Sequence, residues 1–386
     1  MTQTEALKLA IGGLLAMAAA LGVGRFVYTP ILPSMIDALG WSSATAGLVA
    51  SANFLGYLVG ALTAGLPIFS SAPRRWLFHG LAVSAISTAA TGFFPTDIGI
   101  LAARFAGGLA SAFVIVCAST LVLARLTAAS RSNLASIHFA GVGVGIFASA
   151  AIVAAASACG TGWRELWGLS GGAAALMALV AVALVRPGDG DSSQSSSVQA
   201  APVRGTPIKM IAAYGLFGFG YVITATFLVT IVRRSPDIRP LEPWVWMLFG
   251  LAAVPSVPLW QRFGETIGPL RAYGVACLVE AGGVIASVDW MSIPGVAVAA
   301  ILLGGTFMGL TALGLMSART LAEGQSQRVI GLMTACFGIG QMVGPYLAGY
   351  LAESTGSLRA PSWLAAGALS LGAILAASPR LKKTAS

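Results

Sequence analysis

The motif Gly22-Val23-Gly24-Arg25, inside the first apolar segment, recurs as Gly218-Phe219-Gly220-Tyr221 196 positions further along the chain. Two further glycine motifs recur at a spacing of 197: Gly107-Gly108 as Gly304-Gly305, and Gly141-Val142-Gly143 as Gly338-Ile339-Gly340. Every copy lies within a long apolar segment. Three ordered matches at nearly one spacing indicate an internal duplication of a membrane unit, the architecture from which transporters build a site between two repeats.

The composition is that of a membrane protein. Hydrophobic residues make up 57% of the 386 residues and charged residues only 9%. The apolar stretches are close to the roughly 20 residues that a helix needs to cross a bilayer. Backbone groups in hydrocarbon must be paired internally, so only helices or closed barrels can span it. Because the apolar character is continuous and does not alternate with a period of two, we predict an all-α membrane protein.

Twelve membrane-spanning helices are predicted. They cover residues 8–36, 43–68, 75–94, 97–124, 133–157, 163–185, 208–232, 243–261, 269–288, 293–321, 327–352 and 361–378. The stretch 186–207 is rich in Ser, Gly and Pro, which is typical of a flexible linker. It divides the spans six and six, so we expect two pseudo-symmetric six-helix bundles, residues 1–185 and 208–386.

The distribution of Lys and Arg predicts the orientation in the membrane. With the amino terminus inside, fifteen basic residues lie on the cytoplasmic side. Only five lie outside: Arg164, Arg233, Arg234, Arg239 and Arg359. Both termini and the linker are therefore predicted to be cytoplasmic. The asymmetry also accounts for the net charge of +9 without a nucleic-acid partner.

No pattern of an enzyme or of a cofactor site is found in the sequence. Cys117, Cys159, Cys277 and Cys336 lie in apolar segments without metal-type spacing, so we interpret them as small buried hydrophobic residues. The chain has no P-loop, zinc motif or Gly-x-Ser-x-Gly nucleophile elbow. We therefore expect no cofactor, no catalytic activity and no ATP-driven pump, and transport energy must come from an ion gradient or from the solute gradient.

Several of these motifs resemble those of a known family. Twelve spans in two halves with a central linker look like the major facilitator superfamily, and Arg104-Phe-Ala-Gly107-Gly108 is similar to its Arg-x-x-x-Gly signature. The closer resemblance is to the bacterial YbfB/YjiJ-like branch. It rests on the segments 22–30, 138–145, 218–221 and 340–345. This resemblance implies the major facilitator fold, a monomer in the bacterial inner membrane and a small-molecule substrate, but no particular substrate class.

Two arginines inside predicted spans carry the functional hypothesis. Arg104 lies eight residues beyond Thr96, roughly 12 Å into a hydrocarbon layer of about 30 Å. Arg25 lies in the outer part of the first span, just after a Gly-x-Gly at which the helix can bend. In the superfamily both spans line the central cavity, so the two guanidinium groups are candidates to bind an anion through bidentate hydrogen bonds. The alternatives are that Arg104 bonds backbone carbonyls and that Arg25 reaches out to the membrane surface.

Two titratable side chains inside spans are candidates for proton coupling. Glu280 lies at mid-depth in the ninth span, and His138 lies in the cytoplasmic third of the fifth. A carboxyl or an imidazole that changes its protonation as the halves move would couple transport to protons. The alternatives are an interhelical hydrogen bond for Glu280 and a bond to a helix carbonyl for His138.

Polar and aromatic residues complete the candidate cavity. We expect substrate contacts from Tyr28, Asn53, Tyr57, Tyr221, Thr224 and Gln341 beside the two arginines. In the repeat, Tyr221 takes the place of Arg25, so the first half is cationic and the second is neutral. This arrangement predicts a secondary active transporter for a small organic anion that works by alternating access, coupled to protons, with import and export both open.

Two other functions are kept as alternatives. A drug exporter of the same fold is favoured if five large apolar residues line the cavity: Phe54, Phe217, Phe227, Trp244 and Met308. A membrane sensor that does not transport, or an intramembrane enzyme, is a remote alternative. The enzyme would need a nucleophile and a base together, and two histidines without an acidic cluster provide little of either.

Overall fold

The computed structural model describes residues 1–185, 208–321 and 326–377, and also leaves aside the side chains of 319–328. Within these ranges the chain is helical and has no β-strand. This confirms the predicted all-α membrane architecture. The predicted linker, residues 186–207, lies outside the described residues.

The first half of the chain contains eight helices. They are α1 (Gln3–Met17), α2 (Tyr28–Leu39), α3 (Ser43–Ala64), α4 (Pro67–Ser70), α5 (Pro73–Thr91), α6 (Asp97–Ala128), α7 (Ala135–Ala158) and α8 (Trp163–Leu184). A π-helical segment, Ala18–Val23, continues α1, and a 3₁₀ turn, Ser132–Leu134, precedes α7.

The second half contains seven helices in the described ranges. They are α9 (Ile208–Arg234), α10 (Glu242–Ala253), α11 (Ser256–Ile267), α12 (Pro269–Asp289), α13 (Ile293–Leu321), α14 (Ser326–Thr355) and α15 (Arg359–Ala377). A 3₁₀ segment, Pro236–Leu241, joins α9 to α10. Each helical segment or pair of segments coincides with one predicted span, apart from the short α4.

The number of apolar spans is slightly lower than predicted. Ten helical segments of the described ranges are long and apolar enough to cross a membrane, and the bent pair formed by α10 and α11 brings the number to 11. The remaining predicted span is α5, which begins with Pro73-Arg74-Arg75 and contains His79. These polar residues lower its average apolarity, although α5 packs on both α6 and α8 within the first half.

The helix packing repeats between the two halves. In the first half the π-helical segment of the first span packs on α7, and in the second half α9 packs on α14. The contacts between the halves are also paired, because α3 packs on α14 while α10 packs on α7. Since these are the second, fifth, eighth and eleventh predicted spans, the arrangement has the symmetry that a duplication of six spans requires. Superposition of residues 8–185 on 208–378 remains a prediction.

The repeated glycines mark these close contacts. A Cβ on Gly22 would meet the backbone of Gly145 on α7, and a Cβ on Gly218 would meet the backbone of Phe337 on α14. Gly143 lies in the same way against Gly250 on α10, across the two halves. The glycines of α7 and α14 therefore allow close contacts both within one half and between the two halves.

Candidate functional site

The first span is broken where the sequence predicts a bend. In the π-helical segment the amide of Gly24 donates a hydrogen bond to the carbonyl of Ala19, five residues earlier. The α-helix resumes only at Tyr28. Beyond the break the amide of Thr29 bonds the carbonyl of Phe26 instead of that of Arg25. In a membrane interior a released carbonyl needs another donor, and π-helical turns of this kind are frequent at functional sites.

Arg104 supplies these donors. Its Nη1 donates to the carbonyl of Gly24 at 3.1 Å and its Nη2 to the carbonyl of Arg25 at 2.9 Å. The guanidinium also lies 5.1 Å from the ring of Tyr28 and 5.2 Å from the ring of Trp167. Arg104 on α6 therefore holds the broken span, which is the structural alternative of the sequence analysis. Only its Nε is without a hydrogen-bond partner in the described part of the chain.

Arg25 is buried in a different environment. Its guanidinium carbon lies 4.2 Å from the ring centre of Tyr57, 4.6 Å from that of Phe54 and 5.4 Å from that of Phe26. The residue is only 4% exposed, and its Nε and Nη2 have no hydrogen-bond partner among the described residues. The aromatic faces attract the cation but leave its N–H groups unsatisfied. A buried charge in this state is costly unless an anion or another acceptor pairs with it.

A small cavity lies beside both arginines, at the boundary between the two halves. The first half contributes Arg25, Phe26, Thr29, Phe54 and Arg104, among others, and α9 contributes Val222, Ala225 and Thr226. The cavity volume is about 10 Å³, which suffices for about one water molecule. In this conformation the two halves close over the arginines, and Thr29 Oγ1 donates across the boundary to the carbonyl of Ala225 at 2.8 Å.

Tyr221 is the centre of the corresponding region of the second half. Its ring stacks on Phe307 and Phe337 at centroid distances of 4.9 and 5.8 Å. Its hydroxyl accepts a hydrogen bond from Nε2 of Gln341 on α14. Phe307, on which Tyr221 stacks, also packs at 5.5 Å on Phe26, the residue next to Arg25. The structure therefore brings the two members of the repeated motif, Arg25 and Tyr221, into one neighbourhood.

The other predicted substrate contacts fall into two groups: some lie near Arg25 or have an unpaired polar group, and others hydrogen-bond backbone carbonyls of neighbouring helices. Tyr57 faces Arg25, as described, and Thr224 on α9 is buried with a hydroxyl that has no partner in the described ranges. Tyr28 instead donates to the carbonyl of Ala46 at 2.7 Å, and Nδ2 of Asn53 donates to the carbonyl of Arg104 at 2.7 Å. These last two side chains join helices of the first half, although the amide oxygen of Asn53 stays without a partner among described groups.

The two candidates for proton coupling lie in different places. Glu280 on α12 is 1% exposed, and neither carboxyl oxygen has a hydrogen-bond partner in the described part of the chain. His138 on α7 lies between α1 and α6, where its Nε2 is 3.0 Å from Oγ of Ser119 and its ring abuts Gly13. His138 is thus part of the packing within the first half, and Glu280 belongs to the region around Tyr221.

Aromatic residues that the sequence pattern did not single out also lie in this region. Trp244 is 59% exposed and therefore does not meet the condition named for the exporter alternative, that it line the cavity. Trp246, two residues later on the opposite side of α10, is buried and lies 6.5 Å from Phe26 across the boundary between the halves. Phe307 also contacts Phe26, at 5.5 Å, from the position next to the predicted Met308. The helical period around buried Phe249 would have favoured Trp246.

Comparison with known proteins is consistent with this architecture. Residues 17–377 match the family described as uncharacterised MFS-type transporter YbfB. The chain belongs to this family of MFS-type transporters. The uncharacterized MFS-type transporter YceJ of Bacillus subtilis (strain 168) is 24% identical over 361 residues, which cover 87% of each chain. Family membership confirms the resemblance seen in the sequence and supports a transporter rather than an enzyme.

Solved structures of other transporters share the fold. The nucleoside transporter NupG superposes with a TM-score of 0.71 at 13% identity, covering 96% of this chain and 98% of NupG. A bacterial homolog of the human lysosomal transporter Spinster, solved in an inward-facing and occupied conformation, has a TM-score of 0.69 at 15% identity and covers 96% of this chain and 95% of its own. Because these sequence identities are low, the structural similarity establishes the fold and no more.

Proposed function

We propose that the transporter moves a small organic anion across the bacterial inner membrane by alternating access, with Arg25 binding the anionic group of the solute. The observation that carries this proposal is the state of Arg25. It is a buried cation at the boundary of the two halves, and two of its nitrogen atoms have no partner among the described residues. A carboxylate or a similar group would pair with both nitrogens at once.

The second arginine has a supporting role in this proposal. Arg104 is engaged with the carbonyls of Gly24 and Arg25. It therefore fixes the backbone from which the side chain of Arg25 projects, and its charge adds to the positive potential of the small cavity. The uncharged part of the solute would meet the aromatic surface of Tyr57, Phe54 and Tyr221, so the second half contributes a neutral tyrosine where the first contributes Arg25.

Entry of an organic solute requires the halves to separate, because the closed cavity holds about one water molecule. We propose that Glu280 takes up and releases a proton during this movement. The residue is 1% exposed, and neither of its carboxyl oxygens has a partner among the described residues. A charge on Glu280 is costly in this closed state, so its ionisation would favour a conformation that admits water to the carboxylate. His138 has a partner in Ser119 and is the less suitable group.

The test is a ligand screen with paired probes. Purified transporter is heated with a series of carboxylic acids and with the matching uncharged amides, and the unfolding temperature is recorded. We expect at least one acid to stabilise the native chain while its amide does not, and Arg25→Gln to abolish this effect. Stabilisation by acid and amide alike, or an acid effect that persists in Arg25→Gln, would contradict the proposal.

An exporter of hydrophobic compounds is the second candidate function. It is favoured by the stack of Phe217, Tyr221, Phe307 and Phe337, whose rings lie 4.9 to 5.8 Å from one another where they pair. The same stack would suit a planar ring such as that of a nucleoside, the solute named for the structural neighbour NupG. Nucleosides and planar hydrophobic cations therefore belong in the screen, and stabilisation by these compounds with no acid effect would favour the second candidate.

A further inference from the structure

A larger cavity lies above the arginine site, towards the predicted outer surface. Its volume is about 480 Å³, within the range of small-molecule sites. It is bounded by α2, the outer end of α7, α9 and α10, so it also lies between the two halves. Polar side chains that line it are Ser34, Ser157, Thr161, Arg233 and Glu242. We name this space the outer vestibule.

The outer vestibule and the arginine cavity follow the same two helices. On α2 the small cavity ends at Thr29 and the vestibule begins at Pro30. On α9 one helical turn separates Ala225 and Thr226, which line the small cavity, from Val229, which lines the vestibule. The vestibule therefore lies directly above the proposed anion site and is separated from it by about one layer of side chains.

Trp246 forms part of that layer and carries an unused donor. The indole is 1% exposed, stacks on Phe249 at 4.4 Å and lies 6.5 Å from Phe26 of the other half. It lines the vestibule, and its Nε1–H has no acceptor among the described residues. A buried donor without an acceptor is costly, so a polar group of a ligand at this place would be favourable.

Arg233 at the mouth of the vestibule joins the two halves. Its Nη2 lies 2.7 Å from Oδ2 of Asp37 on α2, in the first half. Its Nη1 lies 3.1 Å from Oε1 of Glu242 and 3.3 Å from Oγ of Ser34. The side chain of Asp37 is 61% exposed, whereas that of Glu242 is 23% exposed. Because an exposed ion pair contributes little, Asp37 is the partner that another carboxylate would replace most easily.

We propose that the outer vestibule is a recognition site for the anionic solute, in which the solute replaces Asp37 on Arg233 and donation from Trp246 Nε1 satisfies a second acceptor of the solute. Replacement of Asp37 breaks the ion pair between α2 and α9, so arrival of the solute loosens the two halves above the arginine site. The solute is a carboxylate or comparable anion of the class assigned to Arg25, and the inference rests in this respect on the proposed function.

The experiment measures the distance between the two halves with spin labels. Cysteines are introduced at Ala38 on α2 and at Pro236 after α9, both exposed. Cys159 and Cys336, which are exposed and half-buried, are replaced by alanine. The probes are sodium benzoate and benzamide, which have the same size and differ in charge. We expect benzoate, but not benzamide, to lengthen the distance between the labels.

Variants test whether the distance between the two halves depends on the ion pair of Arg233 with Asp37 or on any loss of an ion pair at this end of the molecule. Asp37→Asn should increase the long-distance population without benzoate, and Arg233→Gln should do the same and no longer respond to benzoate. The matched control is Asp289→Asn, which removes an ion pair with Arg359 (2.7 Å) at the same predicted end, between α12 and α15 of the second half. This control should retain the native distance and the native response.

Three results with the native chain and Asp37→Asn would overturn the proposal. They are a native distance in Asp37→Asn, equal responses to benzoate and benzamide, and no response of the native chain to benzoate. The variant Arg25→Gln distinguishes the two sites, because the vestibule should still respond in it. Loss of the response in Arg25→Gln would assign the effect to the deeper site and overturn the vestibule. A retained response together with unchanged acid stabilisation in that variant would contradict the role of Arg25 alone.

Discussion

Arg25 and Arg104 are two buried arginines in neighbouring spans, and the geometry predicts different effects when each is replaced by methionine. Arg104→Met leaves the carbonyls of Gly24 and Arg25 without their donors. An unsatisfied buried acceptor costs about 1–3 kcal/mol, so the two together cost about 2–6 kcal/mol. Arg25→Met removes no hydrogen bond between described residues, only cation–π contacts worth about 0.5–2 kcal/mol.

The two variants have one change in common, the loss of a buried positive charge. Both replace a guanidinium by a thioether inside the membrane, and removal of the buried charge favours Arg25→Met more because two nitrogens of Arg25 are unpaired. We therefore expect Arg104→Met to unfold at a clearly lower temperature than Arg25→Met, which should be close to the native chain or above it. Ligand stabilisation should show the reverse order, because Arg25→Met loses the proposed anion contact.

The assay heats detergent-purified protein and measures the fraction that remains monodisperse by size-exclusion chromatography. Measured hydrogen bonds between membrane helices average about 0.6 kcal/mol, and even two bonds of that size give a difference of about 1 kcal/mol between the variants. Equal unfolding temperatures, or a less stable Arg25→Met, would refute the assignment of Arg104 to the broken span and of Arg25 to the solute.

Three further predictions concern orientation, coupling and packing. Cys159, exposed at the end of α7, should react in intact cells with a membrane-impermeant maleimide if the amino terminus is cytoplasmic, and protection until the cells are lysed would contradict that orientation. Glu280→Gln should abolish accumulation driven by a pH gradient while solute exchange continues, and loss of both activities would indicate a binding or packing role instead. Gly22→Val should lower the unfolding temperature because its Cβ would meet the backbone of Gly145, whereas Gly172→Val, with open space around its Cβ, should not; similar behaviour of the two would contradict the close packing.

Much of the fold was predictable because membrane helices follow from hydrophobic length and from the repeated glycines. The motif Gly22-Val23-Gly24 predicted the bend in the first span, and the structure places the break there. The apolar character of α5 was overestimated, because Arg74, Arg75 and His79 make its first turns polar.

The roles of individual polar side chains were less predictable. Mid-depth placement alone cannot separate Arg104, which bonds carbonyls released by a π-helical segment, from Arg25, which has unpaired nitrogens within an aromatic site. That distinction depends on which carbonyls the break releases, and this is a property of three-dimensional packing. The choice between Trp244 and Trp246 likewise depends on the rotation of α10 about its axis.

Uptake by proteoliposomes shows whether Arg25 binds the transported anion. The acid selected by the ligand screen is supplied in radiolabelled form to vesicles containing the native chain, Arg25→Gln or Arg25→Lys, each reconstituted at the same density. We predict saturable uptake by the native chain that excess unlabelled acid, but not its amide, inhibits. Arg25→Lys should retain weak uptake because it keeps the charge but loses the bidentate geometry, and Arg25→Gln should show none. Uptake by Arg25→Gln equal to that of the native chain would contradict the account.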